Sequence, residues 1–323
     1  MSHNSSTSLS RNLIIDLAYV TEQAAIAAVG MCGKGDEKAA DQVAVDAMRN
    51  ALNQLDIDGT IVIGEGERDE APMLYIGEKV GTTKGIAVDI ALDPLEGTTI
   101  CAKDMPNSLA VVAVAKKGNL LYAPDVYMEK IAIGAGYPKN IVSLNNSPTE
   151  NILALAKAKG VAPAQIMACV MDRPRHENII NEIRATGAGV RLIGDGDVAA
   201  VIHTATAEST IDIYMGIGGA PEGVLAAAAL RCLGGQMEAR LILDTDEKIA
   251  RAAQMGIKDP NKIYQADELA KGDDVIFSAT GVTDGNMLSG VKICDNYIKT
   301  HTLVMRSATK TIQFIETKYP NNK

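Results

Sequence analysis

Residues 85–98 read GIAVDIALDPLEGT, and this segment combines a strand pattern with a turn that carries two acids. Branched apolar side chains occupy every second position of residues 86–92, which is the period of a β-strand. We predict that this strand ends at Asp93, because Pro94 has no N–H to donate to a neighbouring strand. Asp93 and Glu96 then lie on a tight turn at the carboxyl end of a strand, where open α/β sheets bind their ligands.

The residue types of this turn indicate a chemistry. Two carboxylates three residues apart repel each other unless a positive group lies between them, and a hard divalent cation is a suitable group. Gly97 lets the backbone approach a ligand closely, and Thr98 adds a hydroxyl. Carboxylates, N–H groups and a hydroxyl around a metal ion are suited to hydrolysis of a phosphate ester. The alternative is a solvated turn, since Asp, Pro and Gly are common turn residues.

Composition limits the class of protein. The chain has 323 residues, of which 47% are hydrophobic, so it can form two subdomains or one large α/β unit. Its net charge of -9 argues against nucleic acid and anionic membranes as partners. The five cysteines form no C-x-x-C pair, and no apolar run approaches the ~20 residues of a membrane span, so a cytoplasmic protein is expected.

The pattern of predicted elements changes along the chain. Residues 1–10 are polar and Ser-rich, and we predict a disordered tail there. Residues 11–160 mix helices with antiparallel strands, which predicts an N-terminal mixed α/β subdomain for metal binding. Residues 161–323 begin with three strand-loop-helix units, which predict parallel strands and a C-terminal α/β subdomain for substrate binding.

Charged and glycine-rich loops follow several of these strands. The segment GEGERDE, residues 64–70, has the composition of a solvated loop, but the glycines beside Glu65 permit a bend that aims this carboxylate inward. The segment DRPRH, residues 172–176, holds two arginines stiffened by a proline. Arginine is suited to bidentate phosphate binding, and the alternative is two surface arginines paired with nearby glutamates. His176 is interpreted as a helix-start residue and not as a ligand.

Two further segments have more than one interpretation. The segment DGD, residues 195–197, can bind a cation or sugar hydroxyls, or it can cap the helix that follows. The segment GIGGAPEG, residues 216–223, lacks the third glycine of a dinucleotide-binding fingerprint, because Pro221 stands there. We interpret it as a glycine-rich loop that opens a helix with its N–H groups facing an anion. Glu222 is either a metal ligand or a surface acid that complements the helix dipole.

Together these segments resemble one family. GEGE at 64–67, DPLEGT at 93–98, DRPRH at 172–176, DGD at 195–197 and GGAPEG at 218–223 resemble class II fructose-1,6-bisphosphatases. The likeness keeps the family's order and covers nearly the whole chain from about residue 12. The D-P-x-[DE]-G-T pattern is also similar to the wider superfamily of lithium-sensitive, metal-dependent phosphatases. The resemblance implies an α/β fold of the sugar-phosphatase type, a layered αβαβα sandwich.

The resemblance also implies an activity and its residues. The activity is hydrolysis of the 1-phosphate of D-fructose 1,6-bisphosphate in gluconeogenesis, with Mn²⁺ or Mg²⁺ as cofactor and two or more ions in the site. The implied metal ligands are Asp41, Glu65, Asp93, Glu96 and Glu222. The implied catalytic residues, which orient the attacking water, are Thr98 and either Asp41 or Asp69. The implied substrate-binding residues are Gly97 and Thr98 at the scissile phosphate, Tyr127, Arg173 and Arg175 at the distal phosphate, Asp195 and Asp197 at the sugar hydroxyls, and in addition Glu96, Pro174, Gly196 and Gly219.

Other substrates and other classes of protein stay open. Some photosynthetic relatives that also accept sedoheptulose 1,7-bisphosphate carry an insertion before the DPLEGT strand, whereas this chain runs directly from residues 81–85 into that strand. An inositol or nucleotide monophosphate would leave the arginine pair idle. A sugar-phosphate-binding module without turnover would be expected to lack a metal ligand, and none of the five is missing. We expect a small sugar bisphosphate as ligand and a homo-oligomer, either a dimer or a tetramer.

Overall fold

The computed structural model describes residues 8–66 and 73–321. Its helices are α1 (Leu13–Val29), α2 (Glu37–Leu52), α3 (Thr98–Ala102), α4 (Pro148–Lys159), α5 (Glu177–Ala185), α6 (Asp197–His203), α7 (Ala220–Leu233), α8 (Asp246–Gln254) and α9 (Ala266–Leu269). Its strands are β1 (Ile57–Ile63), β2 (Lys79–Val80), β3 (Ile86–Glu96), β4 (Leu109–Lys116), β5 (Tyr127–Ile133), β6 (Met167–Met171), β7 (Gly189–Ile193), β8 (Ile213–Gly219), β9 (Gln236–Leu241), β10 (Ile263–Gln265), β11 (Val275–Gly281), β12 (Lys292–Ile293), β13 (Tyr297–Arg306) and β14 (Thr311–Pro320).

The chain forms two compact α/β units. The second unit is Leu121–Ala270, and the first unit comprises the chain before and after it. This division differs from the predicted boundary after residue 160. The reason is that β11 pairs with β4, with Val275 opposite Ala115, so the C-terminal strands return to the first unit's sheet.

The first unit is built on a mixed sheet. In residues 8–66 and 73–321 this sheet has eight strands in the order β12-β13-β11-β4-β3-β1-β2, with β14 also paired to β13. β1 runs parallel to β3, and β3 runs antiparallel to β4. Helix α1 packs on β3, β4, β11 and β13, and α2 packs on α1 and β3. The predicted mixture of helices and antiparallel strands is therefore confirmed.

Aliphatic side chains fill the core of this unit. In α1, Leu17, Val20, Ala24 and Ala28 follow one another at helical spacing, and none of them is exposed to solvent. Burial of a leucine or valine side chain stabilises the fold by about 1.5–3 kcal/mol. Ala24 and Ala28 are the small members of this series, and small side chains let the helix lie close to the sheet.

The chain is anchored earlier than predicted. Residues 8–10 were expected to belong to a disordered tail, but Leu9 is buried. Its N–H donates to Asp274 Oδ2 at 2.7 Å, and its carbonyl accepts from Arg306 Nη2 at 2.6 Å. Arg306 also donates two hydrogen bonds to the Asp274 carboxylate, so this buried ion pair fixes the start of the described chain.

Strand β3 is longer than predicted. It continues past Asp93 to Glu96, and its pairing with β4 moves from Asp93↔Val111 to Glu96↔Leu109. Three steps along β3 therefore match two along β4, which is the definition of a β-bulge. Pro94 lies within this irregularity, where its missing N–H breaks no regular ladder bond.

The second unit has its own sheet. Within the described part of the chain it contains six strands in the order β10-β9-β5-β8-β6-β7. β6 is parallel to both β7 and β8, which confirms the predicted parallel strands, whereas β5 is antiparallel to β8 and β9. Helix α7 packs on β5, β8 and β9, α6 packs on α7, and α5 packs on β7.

The glycine-rich segment after residue 215 is a strand and not the predicted loop. β8 runs through Gly216–Gly219, because it stays paired with β5 as far as Tyr127↔Gly219. Helix α7 begins at the next residue, Ala220, with Pro221 in its first turn.

Among the residues that the structure describes, no helix is long and apolar enough to cross a membrane.

Candidate active site

Two acidic side chains of the first unit meet at the end of β3. One carboxylate oxygen of Asp93 and one of Glu96 lie within 4.8 Å of each other. Asp93 Oδ1 also accepts a hydrogen bond from the Leu95 N–H at 3.0 Å, and Glu96 is only 4% exposed. Two anionic groups so close together and so poorly solvated favour binding of a cation or of a proton.

Gly97 turns the chain from this pair into α3. Its φ of +80° is left-handed, a conformation that side-chain-bearing residues rarely adopt. A Cβ at this position would also lie 2.9 Å from Ile100 Cδ1. Thr98 is the first residue of α3, and Gly97 alone separates it from Glu96 in the sequence.

Asp41 experiences the charge of Asp93. Burial, and secondly the Asp93 charge, raise the pKa of Asp41 to about 6. A buried acid beside a second acid resists ionisation, and a divalent cation bound there would favour the ionised form of both.

The other predicted acidic ligands of the first unit lie farther from the carboxylate pair of Asp93 and Glu96. Within the described residues, neither Asp41 nor Glu65 belongs to the group whose oxygens lie within 4.8 Å of one another. Glu65 is half-buried, and its N–H donates to the Leu74 carbonyl at 3.1 Å. A Cβ at residue 64 would lie 2.1 Å from that same carbonyl oxygen, so this approach requires Gly64. Asp69 lies outside the described residues.

In the second unit, Glu222 lies in the first turn of α7 and is half-buried. A Cβ at Gly219 would lie 1.9 Å from Glu222 Oε2. The glycine therefore provides the space that this carboxylate occupies, and any larger residue would displace it.

The DGD segment leads directly into α6. Gly196 adopts a left-handed φ of +81° and precedes the first helical residue, Asp197, which is 4% exposed. Asp197 Oδ2 accepts hydrogen bonds from Lys130 Nζ at 2.6 Å and from Tyr214 Oη at 3.1 Å. A Cβ at Gly218 would lie 2.2 Å from that oxygen. Lys130 and Tyr214 thus hold the side chain of Asp197.

The arginine pair follows β6. Arg175 lies in the short 3₁₀ helix Pro174–His176, and its guanidinium donates to the Ile217 carbonyl through Nε at 3.2 Å and Nη2 at 2.8 Å. Its Cζ lies 4.9 Å from the centre of the Tyr127 ring, which is 53% exposed. Arg173 is half-buried and donates from Nη1 to the Asp172 carbonyl at 3.3 Å. The structure therefore brings Tyr127 and Arg175 together.

Sequence reasoning missed Lys130 and Tyr214. Lys130 has a buried side chain in β5, on the face that also carries Met128 and Ala132. A lysine on the buried face of a strand is a signal in the sequence, because such a charge requires a partner. The identity of that partner, 67 residues away, has no local signal. Tyr214 is fully buried, and burial and then the Asp197 charge raise the pKa of its hydroxyl.

Comparisons with known proteins agree with the sequence resemblance. Residues 11–319 match the family described as bacterial fructose-1,6-bisphosphatase, glpX-encoded. The "D-fructose 1,6-bisphosphatase class 2/sedoheptulose 1,7-bisphosphatase" of Trichodesmium erythraeum (strain IMS101) is 46% identical over an alignment of 327 positions, gaps included, which covers 94% of both chains. The protein of the same name from Synechococcus sp. (strain CC9311) is 47% identical over an alignment of 322 positions, gaps included, which covers 96% of both chains.

A solved structure of an inositol monophosphatase from Anabaena (Nostoc) sp. PCC 7120 matches more distantly. Its TM-score is 0.38 at 16% identity, over 71% of this chain and 83% of that chain. A likeness at this level does not identify a function. The match over residues 11–319 and the two relatives at 46% and 47% identity do identify a family: the chain belongs to the glpX-encoded bacterial fructose-1,6-bisphosphatases.

Proposed function

We propose that the protein hydrolyses the 1-phosphate of D-fructose 1,6-bisphosphate to give D-fructose 6-phosphate and inorganic phosphate. The observation that carries this proposal is the family match across residues 11–319. The enzyme would act in gluconeogenesis and glycerol metabolism, in the cytoplasm and as a homo-oligomer.

The acidic residues of the site would hold its cofactor. Asp93 and Glu96, with Asp41, Glu65 and Glu222, are the proposed ligands of Mn²⁺ or Mg²⁺, at two or more ions per site. The close approach of the Asp93 and Glu96 oxygens and the raised pKa of Asp41 support this assignment. When bound, such ions neutralise phosphoryl oxygens and lower the pKa of a water molecule.

The chemical step would use groups next to this pair. Gly97 and Thr98 would hold the scissile phosphate, and the Thr98 hydroxyl would orient the attacking water in line with the 1-phosphate. Asp41 or Asp69 would accept the proton of that water.

The second unit would bind the remainder of the substrate. Arg173 and Arg175 would hold the 6-phosphate, beside the Tyr127 ring, with Pro174 limiting the freedom of both arginines. Asp195 and Asp197 would accept hydrogen bonds from the sugar. Because Lys130 and Tyr214 both donate to Oδ2 of Asp197, its Oδ1 is the oxygen assigned to a sugar hydroxyl. Gly196 and Gly219 would contribute backbone groups that side chains do not obstruct.

Sedoheptulose 1,7-bisphosphate is a second candidate substrate. It is favoured by the names of the relatives from Trichodesmium and Synechococcus. It carries the same two phosphates at the ends of a longer chain, so the same residues would have to span a greater distance. The missing insertion before β3 makes fructose 1,6-bisphosphate our choice for the main substrate.

A substrate panel tests the proposal. Phosphate release would be measured with Mn²⁺ from fructose 1,6-bisphosphate, sedoheptulose 1,7-bisphosphate, fructose 1-phosphate, inositol 1-phosphate and a nucleoside monophosphate. We expect kcat/KM for fructose 1,6-bisphosphate to exceed that for fructose 1-phosphate by about 10-fold or more, because a hydrogen bond to a charged group contributes ~1.5–3 kcal/mol. Preference for inositol 1-phosphate or the nucleotide would overturn the proposed substrate. Tight binding of the bisphosphate without turnover would indicate a binding module.

A further inference from the structure

His176 is a fully buried histidine with two backbone partners. Nδ1 lies 2.8 Å from the Met171 carbonyl oxygen, and the Ile217 N–H lies 2.8 Å from Nε2. A carbonyl can only accept and a backbone N–H can only donate, so Nδ1 carries the proton and Nε2 accepts. Burial, and to a smaller extent the charges of Arg175 and Arg173, lower the pKa of His176, which favours this neutral form.

The same Ile217 holds the arginine. Its N–H donates to His176, and its carbonyl accepts both hydrogen bonds from the Arg175 guanidinium. In a β-strand the N–H and C=O of one residue point to the same side, so the imidazole and the guanidinium share one edge of β8.

This is the edge of β8 that pairs with β6 nearer the start of both strands. β6 pairs with β8 at Ala168↔Ile213 and Cys169↔Tyr214. Further along β8, the N–H and C=O of Ile217 bond to side chains of the 3₁₀ turn that follows β6. His176 therefore replaces a strand neighbour, and it sets the position of the carbonyl to which Arg175 is attached.

We propose that His176 is a positioning residue that holds the Arg175 guanidinium, through the Ile217 backbone, in the orientation that binds the uncleaved phosphate. This inference rests on the proposed function, since it assigns that phosphate to Arg175. His176 does not itself touch the substrate. Its contribution is the hydrogen bond that Nε2 accepts from the Ile217 N–H. Without that bond Ile217 can move, and its carbonyl is no longer held in position to accept from Arg175.

Two substitutions separate the two hydrogen bonds of His176. The amide N–H₂ of His176→Asn can replace Nδ1 and donate to Met171, but this side chain is too short to reach Ile217. The longer His176→Gln places an amide oxygen near the position of Nε2, where it can accept from Ile217, and it gives up the Met171 bond. Each variant thus loses one hydrogen bond of a buried side chain, so a purely structural role predicts similar losses of stability and activity for both.

The experiment measures kcat and KM for fructose 1,6-bisphosphate and for fructose 1-phosphate, which lacks the distal group, in wild type, both variants and Arg175→Ala. We expect His176→Asn to raise KM for the bisphosphate about 10-fold, His176→Gln to stay within about 3-fold of wild type, and both to leave fructose 1-phosphate nearly unchanged. We also expect His176→Asn to have little further effect in an Arg175→Ala background, because interacting residues are not additive. The unfolding temperature of each variant is measured as a control, to check that the variant is folded.

Several outcomes overturn the inference. Equal KM values for the Asn and Gln variants, or an Asn variant that weakens both substrates equally, would show a structural role alone. If the Asn variant does not fold, a rise of 10-fold or more in KM for the Gln variant still contradicts the inference. Arg175→Ala distinguishes failure of the inference from failure of the proposed function. If Arg175→Ala weakens only the bisphosphate and the His176 variants do not, the inference about His176 is refuted. If Arg175→Ala has no selective effect on the bisphosphate, the proposed role of Arg175 is refuted together with the inference.

Discussion

At the scale of single residues, Lys130 is the least expected feature of the molecule. Its side chain has no solvent exposure, and its Nζ lies 2.6 Å from Asp197 Oδ2 in a side chain that is 4% exposed. A buried ion pair adds little stability over apolar residues of the same shape, but loss of one partner leaves an uncompensated buried charge. We therefore interpret this pair as a device that fixes the Asp197 carboxylate.

Lys130→Met tests this interpretation. We expect it to lower the free energy of unfolding by about 3–5 kcal/mol, the range for a broken buried pair, and the double variant with Asp197→Asn to recover part of that loss. Urea unfolding measures both. Lys79→Met is the matched control, because its pair with Asp58 is exposed and should contribute less than about 1 kcal/mol. Equal effects of the two lysine substitutions would contradict the interpretation.

Asp41 gives a pH dependence whose sign follows from its pKa. Because the pKa rises from 3.8 to about 6 on folding, the folded protein keeps this proton between about pH 4 and pH 6 while the unfolded chain loses it. The free energy of unfolding of the metal-free protein should therefore fall as pH rises through that interval. Asp41→Asn should make the decline shallower, because asparagine has no proton to lose.

Thermal unfolding in chelator from pH 4 to pH 7 checks this expectation. Excess Mn²⁺ should raise the wild-type unfolding temperature above pH 6, where the carboxylate is free to bind it, and should raise that of Asp41→Asn less. The same pH slope in wild type and Asp41→Asn would mean that another group is responsible.

At the scale of elements, β8 shows how a strand is adapted to a site. Its glycines provide space for the acidic side chains beside them: Cβ atoms at Gly218 and Gly219 would lie 2.2 Å from Asp197 Oδ2 and 1.9 Å from Glu222 Oε2. The sequence indicated that this segment was important, but the rule that glycines interrupt strands favoured a loop. Pairing with β5 overrides that rule, and such pairing between distant segments is not visible in local sequence.

Gly218→Ala tests the role of these glycines. We expect it to displace Asp197 from Lys130, to raise KM for fructose 1,6-bisphosphate about 10-fold or more, and to destabilise the protein. Gly194→Ala is the control, because a Cβ there meets no atom within 4 Å and its φ is not left-handed. Steady-state kinetics with urea unfolding distinguishes them, and a Gly218→Ala enzyme that behaves like Gly194→Ala would refute this role.

Other elements were predictable because their signals are local. The apolar repeats at helical spacing predict helices over about residues 12–30 and 38–55, within a few residues of α1 and α2. The alternation of residues 86–92 locates β3 in the same way, because it too depends on neighbouring residues alone. The extension of β3 through Pro94 was not predictable, since it requires a bulge against β4 that only the tertiary structure defines.

At the scale of the whole molecule, the main difference from expectation is the path of the chain. The described residues after 270 return to the first unit, where β11 pairs with β4 across about 160 residues of sequence. Composition and periodicity carry no information about that pairing, whereas the short segments that bear the site residues are visible in the sequence. The family was therefore identifiable without the correct unit boundary.

We propose that hydrolysis of fructose 1,6-bisphosphate requires a divalent cation held by Asp93 and its acidic neighbours. The most direct measurement is phosphate release from this substrate by metal-free wild type, Asp93→Asn and the surface control Asp58→Asn, titrated with Mn²⁺. We predict that wild type and Asp58→Asn are inactive in chelator and recover with Mn²⁺, whereas Asp93→Asn stays at least about 10²-fold slower at every concentration. Full turnover in excess chelator, or wild-type turnover by Asp93→Asn, would contradict the claim.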